Sequence, residues 1–314
     1  MTAPPAVPAC GAASGPTGHV VRRAAEAAFE VPGGWAAAAK GYRRWTVVDE
    51  TAAVHTGFGI CELAPGGSLP AHVHSFEESF YLVDGMAVVD TADGSYEVGP
   101  GDYGLLPVGV PHQWRNLSAQ PARWAEMQGP VPRSRHGEDT QLVPPMGTSE
   151  PVQVDVRDPR TRRFGTITAD HMDVAKQSQG MLAVSASMRT ALLVYSGITV
   201  KMMVDSDLGA QLTTMFMVQY APDGVAGAHD HPFEETYSFL EGEAEATFDG
   251  ATYRLGPGDV AWAGVGCVHS FRNVGGGPLR WLETQSPQPP PRHSYRFARD
   301  WDYLRTVTHH EPSG

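Results

Sequence analysis

Short runs of β-favouring residues, each closed by a turn, dominate the middle of the chain. Glu77-Glu78-Ser79-Phe80-Tyr81-Leu82-Val83 ends at Asp84-Gly85, Met86 to Thr91 ends near Asp93-Gly94, and Tyr96-Glu97-Val98 runs into Gly99-Pro100-Gly101-Asp102. A later stretch repeats the rhythm: Thr236 to Leu240 before Glu241-Gly242, Ala244 to Phe248 before Asp249-Gly250, then Gly256-Pro257-Gly258-Asp259. Turn signals spaced about 8–12 residues apart predict an all-β sandwich or barrel. The 35 glycines and 26 prolines, spread without a period, fit many tight turns. Between the two stretches Pro144, Pro145, Pro151 and Pro159 predict an extended connector, and short helices are expected over Thr168–Met181 and Ala24–Phe29.

The two stretches are copies of one another. Shifted by 157 positions, residues 65–136 overlay residues 222–293 with 29 identities and no gap. His72 falls on His229, His74 on His231, Glu78 on Glu235 and His112 on His269; Gly85, Gly101, Asn116, Trp124 and Glu126 fall on Gly242, Gly258, Asn273, Trp281 and Glu283. Equal loop lengths throughout point to a duplicated domain. The expected division is a tail and lead-in over 1–40, a first barrel over 41–143, a connector over 144–195, and a second barrel with its tail over 196–314. Residues 1–18 read as a mobile tail, with neither the charged leader nor the continuous apolar core of a signal peptide.

The residues shared by the copies carry chemistry. In a strand, alternate side chains share a face, so His72 and His74 point the same way, and Glu78, four residues further on, matches their parity. A closed barrel would bring His112 to the same interior. Three neutral imidazoles and one carboxylate make a site for a divalent metal. The second copy repeats the set with His229, His231, Glu235 and His269. A single pair of histidines in a strand is more often structural; the same four residue types twice at one spacing favour metal.

These residues resemble the two signature motifs of the cupin superfamily. The first motif reads Gly66, His72-x-His74, Glu78 and Gly85; the second reads Gly101, Pro107-x-Gly109, His112 and Asn116. The second copy departs where Gly224 stands one position late for the opening glycine and where Gly264 replaces the motif proline. The resemblance implies a bicupin, two tandem jelly-roll barrels, each holding a metal inside. Iron(II) or manganese(II) is the metal it implies first, with nickel, cobalt, copper and zinc as alternatives. Four protein donors leave about two positions of an octahedral ion for water, dioxygen or a chelating substrate.

Several neighbours are candidates for the pocket or for proton handling. Phe80 and Tyr237 share the histidine face, Trp114 and Phe271 follow the last histidine of each set by two residues, and Leu105 and Trp262 are further candidates for the wall. An apolar lining of this kind would favour an aromatic substrate; the alternative is ordinary core packing. Glu126 and Glu283, with Gln128 and Gln285 on the same face, orient ligands or move protons if that face is interior, and are solvated if it is not. Cys267 shares parity with His269. Arg115 and Arg272 have the opposite parity and are expected outside the pocket; His55 is expected on the surface, and His136 and His293 in structural roles.

Composition narrows the partners. With 23 basic and 35 acidic residues the formal charge is −12, no basic cluster resembles a phosphate-binding stripe, and the short basic stretch Arg157, Arg160, Arg162 and Arg163 is interleaved with Asp155 and Asp158, so a nucleic-acid partner is not expected. No apolar run approaches the ~20 residues that span a bilayer. Three scattered cysteines, Cys10, Cys61 and Cys267, fit a reducing cytoplasm better than a disulfide scaffold. The expected activity is that of an oxidoreductase, a non-haem dioxygenase acting on a small aromatic or dicarbonyl molecule. Alternatives are a non-redox hydrolase, lyase or isomerase, such as a ureidoglycine aminohydrolase-like enzyme, and a non-catalytic small-ligand binder. Assembly as a homodimer through edge strands is compatible with the resemblance.

Overall fold

The computed structural model describes residues 18–173, 176, 190–193, 197–288 and 296–297. The expected tail, most of the helix expected to reach Met181, and His293 lie outside these residues. Strands dominate the rest. The expected helix at Thr168 is a single turn, Ala169–Met172, and the one expected from Ala24 is a 3-10 turn, Ala24–Glu26.

Each copy curls its strands around an apolar interior. In the first, the 18-residue strand Gly57–His74 runs the length of the sheet. It pairs with Lys40–Val48 on one side and with Ala122–Gly129 and His112–Arg115 on the other. The second copy breaks that long strand into Thr214–Tyr220 and Val225–Asp230, which belong to two different sheets. The turn geometry of the repeat survives its sequence departures. Asp223, at the register position of Gly66, takes the same left-handed conformation, φ 62° against 65°; aspartate tolerates it through its short polar side chain. Asp249-Gly250, both at positive φ, closes the hairpin between Ala244–Phe248 and Ala251–Leu255 as its sequence predicts.

Period-two alternation sorts the apolar residues into three cores. One fills the first barrel around Leu63, Phe80, Trp114 and Trp124; a second fills the other barrel around Tyr237, Phe248, Phe271 and Trp281. The third takes the opposite faces of the same strands, with Trp45, Phe58, Leu105 and Met127 from one copy against Met203, Met215, Met217 and Trp262 from the other. The barrels are therefore joined by a packed apolar interface.

Two exchanges fasten that interface. His19–Arg22, which precedes the first barrel, pairs with Val260–Ala263 of the second, and Phe164–Thr166, which precedes the second, pairs with Asp102–Leu106 of the first. Two buried carboxylates make a matching exchange. Glu77 accepts from the backbone N–H groups of Gln211, Leu212 and Thr213 at 2.6, 2.9 and 3.0 Å. Glu234, its repeat counterpart, accepts from those of Val54, His55 and Thr56 at 2.9, 3.1 and 2.9 Å. Each carboxylate thus satisfies a loop of the opposite barrel that would otherwise bury unpaired donors. Among the described residues, no helix is long and apolar enough to cross a membrane.

Replacing either carboxylate strands three donors at the interface. Glu77→Ala and Glu234→Ala are each expected to cost about 3–5 kcal/mol by chemical denaturation; losses below about 1 kcal/mol would show that the loops hold themselves.

Candidate metal centre

The long strand delivers His72 and His74 to the barrel interior two residues apart, and the turn at Ser75-Phe76 carries the chain into Glu77–Asp84, which places Glu78 beside them. His112 opens its own strand directly opposite His72 in register. One donor atom from each of the four lies within 4.8 Å of the others, and all four residues are buried. Glu78 Oε2 stands 3.1 Å from His74 Nε2 and 3.5 Å from His112 Nε2.

Hydrogen bonds set the tautomer of these imidazoles. Nδ1 of His72 donates to the Pro70 carbonyl at 2.8 Å, that of His74 to Phe76 at 2.7 Å, and that of His112 to Val110 at 3.0 Å. The second copy repeats the arrangement. His229 donates to Gly227 at 2.7 Å, His231 to Phe233 at 3.0 Å and His269 to Cys267 at 3.0 Å. A carbonyl only accepts, so in the neutral tautomer the proton resides on Nδ1 and the Nε2 lone pair turns inward. Burial, reinforced by the neighbouring His112, lowers the pKa of His72 to about 3; burial and His269 lower that of His229 to about 4. Burial opposes the charge on Glu78, but the His112 and His74 rings beside it outweigh that and hold the carboxyl below its usual range.

The donor set fits a divalent cation. Glu78 Oε1 and His112 Nε2 are buried without a hydrogen-bond partner. In the second set His231 Nε2 lies 2.6 Å from Glu235 Oε2. Donors about 2.1 Å from one ion at right angles sit about 3 Å apart, which matches these separations, and a cation would satisfy the orphaned atoms.

A cavity of about 340 Å³ opens onto the first set. Its aromatic side is Trp35, Tyr42, Phe76 and Trp114; its polar side is Arg44, Glu126 and Gln128. Trp35 meets the His72 ring edge-on at 4.7 Å, and Phe76 stacks on His74 at 4.0 Å. Glu126 is interior: its carboxylate pairs with Arg44 and accepts from Trp124 Nε1 at 3.1 Å and Gln128 Nε2 at 2.9 Å. The guanidinium stays charged because Glu126 outweighs its burial. Burial pushes the Tyr42 phenol and the Cys61 thiol well up, so both remain protonated beside it. The repeat comparison misses Trp35, Tyr42 and Arg44, since they precede the repeat. The signal was in the strand Lys40–Val48, where Tyr42, Arg44, Thr46 and Val48 share one parity and all line the cavity.

Two segments, residues 59–127 and 216–284, match the family model described as Cupin domain. Protein SchB of Streptomyces halstedii is 33% identical over 104 residues, which cover 31% of this chain and 75% of that protein. The chain belongs to the cupin family. As a bicupin it superposes on solved structures over most of its length. A Pseudomonas aeruginosa protein described as glyoxylate-induced gives a TM-score of 0.60 at 16% identity, covering 92% of this chain and 98% of that one. A Lactobacillus farciminis oxalate decarboxylase in complex with formate gives 0.59 at 18%, covering 97% and 96%. A Bacillus subtilis oxalate decarboxylase gives 0.60 at 15%, covering 95% and 85%. At such identities the likeness concerns the fold.

The two cupin centres differ. His229, His231 and His269 gather their donor atoms within 4.8 Å, and Glu235 Oε2 stands 3.4 Å from His269 Nε2. Where the first barrel has Phe80, the second has Tyr237, whose hydroxyl donates to Glu235 Oε2 and lies 3.0 Å from His269 Nε2. Gln285 donates to the other Glu235 oxygen at 2.6 Å. Phe216 stands where the first barrel has Gly59, the residue whose missing side chain leaves room for Arg44: a Cβ there would come within 2.7 Å of its Nε. Glu283, which lacks that guanidinium, is held well above the usual carboxylate range by burial and the Glu235 charge, and accepts from Trp281 Nε1 at 2.9 Å.

The other predicted residues take varied places. Trp114 lines the cavity, with Phe80 behind it in the core at 4.9 Å. Phe271 packs in the second core, 4.7 Å from Tyr237. Leu105 and Trp262 are corrections. They pair with Ser79 and Thr236, on the face opposite Glu78 and Glu235, and so belong to the core between barrels rather than the pocket wall. Arg115 makes two hydrogen bonds to Asp90, Arg272 pairs with Glu245, and His136 lies in an exposed 3-10 turn.

Reconstitution of metal-free protein with iron(II) or manganese(II) should load about one to two ions per chain by elemental analysis, and His74→Ala should remove about one. Full loading of the His74→Ala, His231→Ala double variant would place the metal elsewhere.

Proposed function

We propose that the chain is a metal-dependent oxygenase whose working centre is the N-terminal barrel, acting on a small aromatic or dicarbonyl molecule that chelates through paired oxygens. The cavity of about 340 Å³ that opens on His72, His74 and Glu78 carries this reading. It falls within the usual size range of small-molecule sites. In the second barrel Phe216, packed in the core, stands at the position of Gly59, and the Tyr237 hydroxyl turns into the donors.

Bound iron(II) or manganese(II) would supply redox capacity and about two open positions for paired oxygens. The residues do the rest. Trp35, Tyr42 and Phe76 present aromatic surface that would hold a planar ring and exclude water from the donors. On the polar side Gln128 is fixed between Arg44 at 3.2 Å and Glu126 at 2.9 Å, so that wall is preorganised to meet a substrate oxygen without rearranging. The buried Arg44–Glu126 pair keeps it close to neutral.

A lyase of the oxalate type is the second reading, favoured by the fold neighbours. A dianion as small as oxalate leaves most of the cavity unfilled and gains nothing from its aromatic side. Oxygen dependence separates the two. Iron- or manganese-loaded protein offered catechols, diketones and hydroxy-aromatics should consume oxygen in step with substrate loss; equal turnover under nitrogen would transfer the reading to lyase, hydrolase or isomerase chemistry. In the same assay His74→Ala should lower kcat by at least about a thousandfold, while His231→Ala retains more than about a tenth. The reverse pattern would move the working centre to the second barrel.

A further inference from the structure

A second kind of donor cluster lies outside both His3Glu sets. One donor atom each from His19, Asp249 and Cys267 lies within 4.8 Å of the others. The three come from separate elements: the N-terminal exchanged strand, the tip of the hairpin after Phe248, and the segment leading into His269. In the first copy the register positions of Asp249 and Cys267 hold Ala92 and Val110, so the cluster is a feature of the second barrel alone.

Each donor is held. The His19 ring stacks on Phe248 at 5.5 Å with 16° between planes, and its Nε2 lies 2.8 Å from the Tyr253 hydroxyl. Its Nδ1 is buried with no hydrogen-bond partner. Tyr253 thus engages one nitrogen and leaves the other lone pair facing the cluster, the arrangement by which an outer partner orients a ligating imidazole. Asp249 Oδ1 accepts from the Val268 N–H at 2.9 Å, and Oδ2 crowds against Gly18, where a Cβ would come within 2.5 Å. Cys267 is buried, while Asp249 is exposed, so the cluster has one face toward solvent.

We infer that His19, Asp249 and Cys267 form a metal site for a borderline-soft divalent ion of the zinc(II) class, which clips the exchanged N-terminal strand to the second barrel. A thiolate, an imidazole and a carboxylate are all zinc ligands, and three protein donors leave a fourth, solvent-facing position for water. The thiolate also sets the site apart from the barrels' sulfur-free sets, which suit harder ions. The thiol proton is released to solvent as the ion binds. Such a clip would fasten the strand His19–Arg22, which is held to Val260–Ala263 by backbone pairing.

Cobalt(II) reads the site directly, because only sulfur coordination produces a thiolate-to-cobalt charge-transfer band in the near ultraviolet. Metal-free full-length protein titrated with cobalt(II) should develop that band, saturating at about one ion per chain, and zinc(II) should erase it. Cys267→Ser should abolish it, Cys61→Ser should keep it, His19→Ala should weaken cobalt binding at this band by at least about a hundredfold, and Tyr253→Phe by about tenfold. Folded wild-type protein with no band overturns the site, as does a band that survives Cys267→Ser or is indifferent to His19→Ala. Should Cys267→Ser fail to fold, the half-buried His19 supplies the deciding variant.

Discussion

Every ligand imidazole donates its Nδ1 proton to a main-chain carbonyl two residues away, and the chemistry of both centres rests on that bond. It fixes the tautomer, aims the Nε2 lone pair inward and holds the ring against rotation. The acceptor is backbone, so the arrangement needs no further side chain and survives wherever the strand and its turn keep their shape. The same three bonds recur at matching positions in the two copies, despite the change of neighbours around them.

Divergence has acted on the space beside the donors rather than on the donors. Gly59 against Phe216 and Phe80 against Tyr237 are the two exchanges that matter most. A missing side chain in the first barrel admits the Arg44 guanidinium and leaves a cavity. In the second an added ring packs in the core and a hydroxyl engages Glu235. A duplicated fold thereby holds two donor sets of one kind in different surroundings, with the strand exchanges and the paired carboxylates Glu77 and Glu234 keeping the halves together.

Much of the site was legible because strand parity is a strict rule. Spacing alone put His72, His74 and Glu78 on one face, and the repeat supplied His112 and its counterpart. Parity also placed Glu126 and Gln128 together, although the sequence left open whether their face was interior; pairing with Phe80 and Glu78 answers that. Leu105 and Trp262 were misplaced because a large apolar residue near a motif resembles a pocket wall until its strand partner is known. Residues ahead of the repeat, Trp35, Tyr42 and Arg44, carried no motif and came to light only through the cavity they line.

By itself the sequence determined the duplication, the all-β class, the donor types and their common face. These follow from local rules: period-two alternation, turn chemistry, and identity at a constant shift. Tertiary structure decided that a cavity opens on the first donor set, which carboxylates cross between halves, and that a histidine at residue 19 meets an aspartate and a cysteine more than two hundred positions later. Such juxtapositions arise when strands from distant parts of the chain close into one sheet, and no pattern confined to neighbouring residues encodes where that closure brings their side chains.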